Sequence, residues 1–533
     1  MTLSVRVGEA LAKRTAQAAQ ELITATLASG ITRGDASLWG PAAEPEASIR
    51  LGWVNTPEVS EPLVEQILAL RDKLVAEGVD TWVLGGMGGS SLAPEVITKT
   101  AGVALTVLDS TVPTQVSAAL RDPARTAVIV SSKSGSTVET DSHRRTAEKW
   151  FRDAGIDPAG RIVVVTDPGS PLDASARAAG YTVFNADPHV GGRFSALTAF
   201  GLVPSGLAGA DIATLLHDAA SAREILQQDD PDNPAIRLAA AISGQAPAVD
   251  KLGLVPVDTP IQGLPDWAEQ LVAESLGKEG TGILPVVLDT SSPELTTRPT
   301  DLVIARLVAE ASDAAPEEIA ISGTLGEQLM LWEYAISMVG KVLGINPFDQ
   351  PDVESAKAAA RSLLAERPEP VPAVITEGIL EVRGTSDALA GAHTISAAIS
   401  QLFSLLSAHN GYLSIQAYLD RPGYPQAAEL RDIAAEKLGR PVTFGWGPRF
   451  LHSTGQYHKG GPAEGVYLQI TAVSPTDVDI PGIPFSFGQL VQAQAAGDAA
   501  VLAEHGRPVL SVNITSDIPA GIQAIRDILS SLE

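Results

Sequence analysis

The sequence predicts an α/β fold: two doubly wound parallel-sheet domains, an N-terminal helical arm before them, and a C-terminal α/β region that partly repeats the second domain. Three observations predict it. From Thr81 onward, short apolar runs alternate with helical stretches, the pattern of parallel strands covered on both faces. A length of 533 residues exceeds what one core organises, and 45% hydrophobic with 19% charged residues suits several filled cores rather than disorder. A stretch near the C-terminus echoes an earlier one.

The elements follow in chain order. Residues 1–79 read as a helical arm, periodic over Leu11–Leu27 and again from Pro57, placed near a first turn, to Glu77. Residues 80–205 form the first parallel-sheet domain, with strands in "TWVLGG", "ALTVLD", "TAVIVSS", "RIVVVTD" and "YTVF". Its ligand crevice belongs at the carboxyl ends of those strands. Residues 206–360 form the second, with helices near 209–227 and 234–243. The strand "KLGLVPV" follows, then a helix through Trp267–Leu276, the strands "ILPVVLD" and "DLVIARLV", and a long helix over Leu325–Leu343. In residues 361–533, "EGVYLQITAVSP…IPFSFGQLVQAQAAG" matches "DLVIARLVAEAS…ISGTLGEQLMLWEYA". Just upstream, "PVTFGWGPRFLHSTG" takes the place of "GILPVVLDTSS".

Bulk chemistry excludes some classes of function. A net charge of −26 disfavours nucleic acid and anionic membranes as partners, since no Lys/Arg run offsets it. With no cysteine, there are no disulfides, thiolate metal sites or thiol nucleophiles. The N-terminus lacks the basic-then-apolar order of a signal peptide, and no apolar run is long enough to span a bilayer, so a soluble cytoplasmic protein is expected.

Two turns in the first domain carry chemistry. "LGGMGGSSLAPE" follows a strand and opens a helix, where glycines permit close approach and free amides favour an anion; alone, it is equally an ordinary strand–helix turn. "SSKSGSTVET" gathers hydroxyls around Lys133 and Gly135 ahead of another helix on the same sheet edge, a natural phosphate cradle. "DPHVGGRFSAL" sets Arg193 beside a diglycine, suited to an oxyanion or to an interdomain ion pair. "EQLVAESLGKEG" and "GINPFDQPDVESAK" place Glu274 and the Glu354/Lys357 pair on helices, where solvated faces are the plainer reading by local physics.

Together these stretches resemble the glucose-6-phosphate isomerase family, and most closely the isomerase half of transaldolase–isomerase fusions. The likeness runs over roughly residues 80–360 in the family's order: the GxGGS turn, the serine-rich cradle, GGRFS, ESLGK and FDQ…VE…K. It implies two sugar-isomerase (SIS) domains and reversible conversion of glucose 6-phosphate to fructose 6-phosphate through a cis-enediolate, with neither metal nor cofactor. A dual glucose/mannose 6-phosphate isomerase, or a non-catalytic phosphosugar sensor, stands as the alternative. Two departures are visible. Asp352 replaces a small residue of the family motif. The family's LHS-x-GQY segment, normally soon after ESLGK, is missing between Gly280 and Gly340 and returns as "LHSTGQYHKG" in the late repeat.

The resemblance implies roles residue by residue. Glu274 is the base that moves the proton between C2 and C1, and Arg193 stabilises the enediolate. His452 and Lys357 open the sugar ring. Ser90, Ser132, Lys133, Ser134 and Thr137 hold the phosphate, and Gly88, Gly89 and Gln350 line the site. Relatives take the histidine from a neighbouring subunit, so the expected assembly is a homodimer or a pseudo-dimeric monomer whose third region replaces the partner.

Overall fold

The computed structural model describes residues 2–366 and 371–532; the Glu354 side chain lies outside the described residues. The chain opens with a strand, β1 (Ser4–Val7), where the sequence predicts helix throughout the arm. It pairs antiparallel along the edge of the second sheet, so the arm is stitched into that unit, with helices Glu9–Thr24 and Thr56–Ala76 following. Strong helical periodicity downstream masks a four-residue strand whose pairing partner lies some three hundred residues away.

The first sheet comprises β2 (Thr81–Gly86), β3 (Thr106–Leu108), β4 (Thr126–Ser131), β5 (Ile162–Thr166) and β6 (Thr182–Asn185), all parallel, in the order β3-β2-β4-β5-β6. Its topological switch point lies between β2 and β4, where the crevice of an open α/β sheet forms. The Gly88 and Ser132 turns both leave the sheet there.

The second sheet holds β7 (Lys251–Pro256), β8 (Leu284–Val287), β9 (Leu302–Leu307) and β10 (Glu318–Ser322), in the order β1-β10-β9-β7-β8. The third comprises β11 (Ile375–Glu377), β12 (Leu380–Gly384), β13 (Tyr412–Tyr418), β14 (Val442–Trp446), β15 (Gly465–Ala472) and β16 (Val509–Ile514), in the order β11-β12-β16-β15-β13-β14. From β8 to β1 and from β14 to β12 the two sheets follow one plan, four parallel strands and then an antiparallel one, which is the edge in the second sheet and is followed by β11 in the third.

The repeat is less regular in its helices. Helix Leu325–Leu343 follows β10, whereas Phe487–Glu504, its match in the sequence, precedes β16. The strand β10, absent from the sequence-based expectation, accounts for the offset. The arm and the first two units share one apolar core, and the third unit has its own. The boundary expected at 205/206 falls within helix Ala199–Ala208, and the one at 360/361 within Val353–Glu366, so both helices run across those divisions. Among the described residues no helix is long and apolar enough to cross a membrane.

Second and third units meet through a small aromatic and aliphatic cluster that includes Val255, Leu284, Tyr412, Tyr457 and Tyr467. Buried charges frame it. The Lys251 ammonium reaches Asp250 at 2.6 Å, Asp301 at 2.9 Å and Glu464 at 3.2 Å, and Arg431 pairs with Glu294. Such pairs, once their partners are in place, fix how two surfaces seat, because losing one partner strands a buried charge.

Candidate active site

Helix Leu264–Leu276 presents Gln270 and Glu274 one turn apart on one face, both buried. The Gln270 amide donates to Glu274 Oε2 at 3.3 Å and to the His452 carbonyl at 2.9 Å. The late histidine loop therefore sits against the helix that bears the candidate base. Burial pushes the Glu274 carboxyl up from its usual range, with Arg193, His452 and Lys357 opposing in that order. Those three cationic or ionisable groups surround it from three separate stretches of chain.

Arg193 is 2% exposed. Its Nε donates to Ser275 Oγ at 2.8 Å, its Nη2 to the carbonyls of Pro347 (2.6 Å) and Asp349 (3.0 Å), and its Nη1 to Gln350, with Glu274 Oε2 3.8 Å from Nη1. A guanidinium held this way cannot swing, so it is a fixed charge beside Glu274 rather than a mobile finger. Lys278 adds a second buried cation to the same loop, donating to the carbonyls of Asn346 (2.7 Å) and Asp349 (2.6 Å) and to the Asp349 carboxylate (2.7 Å). Burial, with Arg193 nearby, brings its ammonium down to about 8. Between them, Arg193 and Lys278 pin the 346–350 loop that carries Gln350, itself exposed, and leads into the Lys357 helix.

The glycines have a reason the sequence did not reveal. Gly88 has a positive φ of 56°, and a Cβ there would lie 2.8 Å from both the Gln270 amide nitrogen and the His452 carbonyl oxygen. At Gly89 it would fall 1.9 Å from the Gly192 carbonyl oxygen. Bare backbone at these positions lets all three units close on one point. Ser90 is half-buried in the first turn of the helix that begins at Gly89.

In the serine-rich turn, Ser132 Oγ accepts from the Gly135 amide at 3.1 Å, and the Ser134 and Ser136 hydroxyls pair at 2.6 Å. Ser132 and Thr137 hydroxyls lie 3.4 Å apart, and Ser134 is exposed. Lys133 departs from the expected cradle: its ammonium turns to the Val190 carbonyl (2.8 Å) and to Asp167 (3.0 Å), away from the hydroxyl cluster. The turn continues into helix Val138–Asp153, whose first-turn residue Glu139 is buried.

His452, half-buried, ends a short helical turn (Arg449–His452), and its Nε2 lies 2.9 Å from Glu139 Oε1. Burial works to raise Glu139, yet the charge and hydrogen bond of His452, with Lys357 beyond, hold it down at about 2. The loop is clamped on both sides. Before it, buried Arg449 donates to Glu95 at 2.5 Å and to Asp109. After it, the Gln456 amide donates to the Gly277 carbonyl at 2.9 Å and to the Asp352 carboxylate at 2.6 Å, and accepts from the Asp352 N–H at 3.0 Å. The unusual Asp352 thus links the histidine segment to the start of the Lys357 helix.

The structure brings Glu274, Arg193, His452, Gln350 and the Lys357 helix to one place, beside Gly88 and the serine-rich turn. Sequence reasoning missed Glu139, Gln270 and Gln456 as parts of it. Gln270 stands one helical turn before Glu274 and Glu139 two residues after Thr137, so spacing was the available signal; Gln456 gave none beyond membership of the motif. Among the described residues, no group of three or more His, Asp or Glu side chains is arranged to hold a metal ion.

Residues 73–293 match the family model described as phosphoglucose isomerase. A glucose-6-phosphate isomerase of Thermus thermophilus is 30% identical over 383 residues, which span 60% of this chain and 91% of that protein. One from a Cyanothece species is 27% identical over 408 residues, covering 61% and 77%. Among solved structures, a hypothetical protein, also from Thermus thermophilus, superposes with a TM-score of 0.59 at 25% identity, over 68% of this chain and all of that one. A glucose-6-phosphate isomerase from Chlamydia trachomatis shares the fold, with a TM-score of 0.53 at 17% identity over 68% of this chain and 86% of its own.

Proposed function

The chain belongs to the phosphoglucose isomerase family, and from that premise we propose how its own residues divide the interconversion of glucose 6-phosphate and fructose 6-phosphate. The conversion moves one proton between C2 and C1 and leaves the overall oxidation state unchanged. Glu274 takes the C2 proton from the open-chain aldose and returns it at C1. The raised carboxyl supports this role, because a more basic carboxylate takes a carbon-bound proton more readily. Negative charge gathers on the enediolate oxygens in between, and the immobile Arg193 supplies a preorganised opposing charge.

His452 and Lys357 open the ring by moving protons at O1 and at the ring oxygen. Ser90, Ser132, Ser134 and Thr137 hold the phosphate at the switch point of the first sheet, with Gly88, Gly89 and Gln350 lining the site. For Lys133, whose ammonium is engaged elsewhere, the contribution is through its place in the turn. Fixing the phosphate lets binding energy at that end orient the reacting carbons.

The observation that carries the reading is the 2.9 Å contact between His452 of the third unit and Glu139 of the first, next to the Gln270–Glu274 pair of the second. Residues 361–533 then supply in cis what a neighbouring subunit supplies in relatives, so one chain holds a complete site and works as a pseudo-dimeric monomer. We place the protein in the cytoplasm, where its phosphosugar substrates are. A coupled assay of glucose 6-phosphate to fructose 6-phosphate with Glu274→Gln tests the assignment: turnover should collapse while phosphosugar binding persists, and full turnover would remove Glu274 as the base.

A further inference from the structure

Behind the Glu139–His452 pair lie two groups that the mechanism above does not use. Gln494, on the Phe487–Glu504 helix of the third unit, donates from Nε2 to Glu139 Oε1 at 2.6 Å, the same oxygen that faces His452. Its Oε1 accepts from the Thr111 hydroxyl at 2.6 Å. Thr111 is fully buried, and Gln494 and Glu139 are each 4% exposed. An ionised carboxylate only accepts, so the amide nitrogen must face Glu139; that leaves the amide oxygen for Thr111, whose hydroxyl donates. The four side chains run in single file, Thr111–Gln494–Glu139–His452, alternating between the first and third units.

We propose that Gln494 is a positioning residue for ring opening: it keeps Glu139 ionised and aimed at His452, so that the third unit supplies both the imidazole and the amide that orients the carboxylate facing it. The inference rests on the reading of His452 as a ring-opening residue. Hydrogen bonds to a carboxylate favour its charged form, and a buried carboxylate deprived of a donor draws harder on any proton left within reach. Without the Gln494 amide, Glu139 takes up a proton at higher pH, and His452 Nε2 loses the charged partner that orients it. Thr111 acts one step further back by holding the amide in the orientation that donates.

Other titratable groups face this pair. Glu274 approaches from the Leu264–Leu276 helix and Lys357 from Val353–Glu366. His143, brought down to about 4 by burial, lies on Glu139's own helix. Tyr418 at the end of β13 faces Glu139 too, its hydroxyl pushed well up by burial.

The test is the pH profile of kcat/KM for glucose 6-phosphate in the full-length chain. With Gln494→Leu, the acid limb should move up by about half to one pH unit. At pH 7, kcat should fall by roughly three- to tenfold with KM little changed, the signature of a lost reaction-step interaction. Thr111→Val, nearly isosteric, should move the limb the same way by less, and it decides the matter if Gln494→Leu does not fold. Gln494→Leu combined with His452→Ala should be no slower than His452→Ala alone, since the effect passes through the imidazole. Limbs that coincide with the parent in both single variants, or losses that multiply in the double one, would overturn the proposal while His452 keeps its role. A His452→Ala chain as fast as the parent would instead remove the reading beneath it.

Discussion

In the second unit the loop after β8 carries Glu294 and no histidine; in the third, the loop at the same place in the sheet, after β14, carries Arg449 and His452. Both loops are fastened to another unit by an arginine–carboxylate pair. Glu294 receives Arg431 from the third unit, and Arg449 reaches Glu95 and Asp109 of the first. One repeated position is therefore purely adhesive in one copy, and adhesive with an imidazole attached in the other. The sheets differ in the same sense. One face of the third is apolar, with Leu413, Ile415, Val466, Leu468, Ile470, Leu510 and Val512, while the opposite face shows Ser414, Gln416, Gln469 and Ser511, where His458 and the Ala495 carbonyl of the Phe487–Glu504 helix meet it. The second copy carries Glu274, the proposed base, and the third brings His452 and Gln456 against its helix.

The largest expected effect breaks this division of labour directly. Glu274→Gln and His452→Ala should each lower kcat by about 10²–10⁴. On the proposed pseudo-dimeric monomer, mixing the two variant chains should restore nothing, because each chain would still lack one of the two groups. Recovery of activity in the mixture, with light scattering showing a dimer, would mean that the histidine works across subunits.

Next is the seam. Arg431→Met leaves Glu294 buried at 1% exposure without its cation, and removing one partner of such a pair costs about 3–5 kcal/mol. In urea the midpoint of the earliest transition should fall accordingly. Adding Glu294→Leu should recover most of the loss, since two apolar groups leave no stranded charge. A single variant as stable as the parent would show that the seam is held by the aromatic cluster alone.

Much of this architecture was legible in the sequence, for physical reasons that also explain the failures. β2, β4 and β5 are buried on both faces and so read as unbroken apolar runs. β1 sits beside strong helices, and what makes it a strand is a pairing between residues about 315 positions apart, with β10, which lies between it and β9. The participation of Glu274, Arg193 and His452 could be suggested by motif, but their meeting could not, because it depends on Gly88 and Gly89 letting three units touch. Lys133 misled for a related reason. In sequence it stands among hydroxyls, whereas in space its long side chain leaves them for the Val190 carbonyl.

A smaller effect sharpens the comparison at the junction itself. Glu269, one residue before Gln270 on the base-bearing helix, is pushed up to about 8 by burial and by Asp266, against the pull of Arg449. Its ordinary value, near 4.3 in an unfolded chain, lies well below. Between those two values the folded state holds the extra proton, so this group's contribution to stability declines as pH rises from about 4.3 towards 8 and is flat beyond. Thermal unfolding from pH 5 to 8 should show the parent losing stability relative to Glu269→Gln, whose neutral amide cannot titrate. Parallel curves would place Glu269 in a more watery setting than its neighbours suggest.

The smallest effect concerns the two helices that the repeat pairs. Each begins with a capping box, Thr324 with Glu327 and Ser486 with Gln489. Replacing either hydroxyl residue with alanine should cost about 0.5–2 kcal/mol. The two should not be equal. Thr324 Oγ1 accepts from the Glu327 N–H at 3.5 Å, a long contact, whereas Ser486 Oγ accepts from Gln489 at 3.2 Å and also donates to Asp477 at 2.5 Å. Ser486→Ala removes both bonds and leaves Asp477 with the Gly488 N–H at 2.8 Å as its remaining tie to that turn. It should therefore destabilise more than Thr324→Ala, and because the helix it starts carries Gln494, it alone should also slow turnover. Equal losses with unchanged rates in both variants would mean that the helix of the third unit is held by its packing against the Lys357 helix, independently of how it begins.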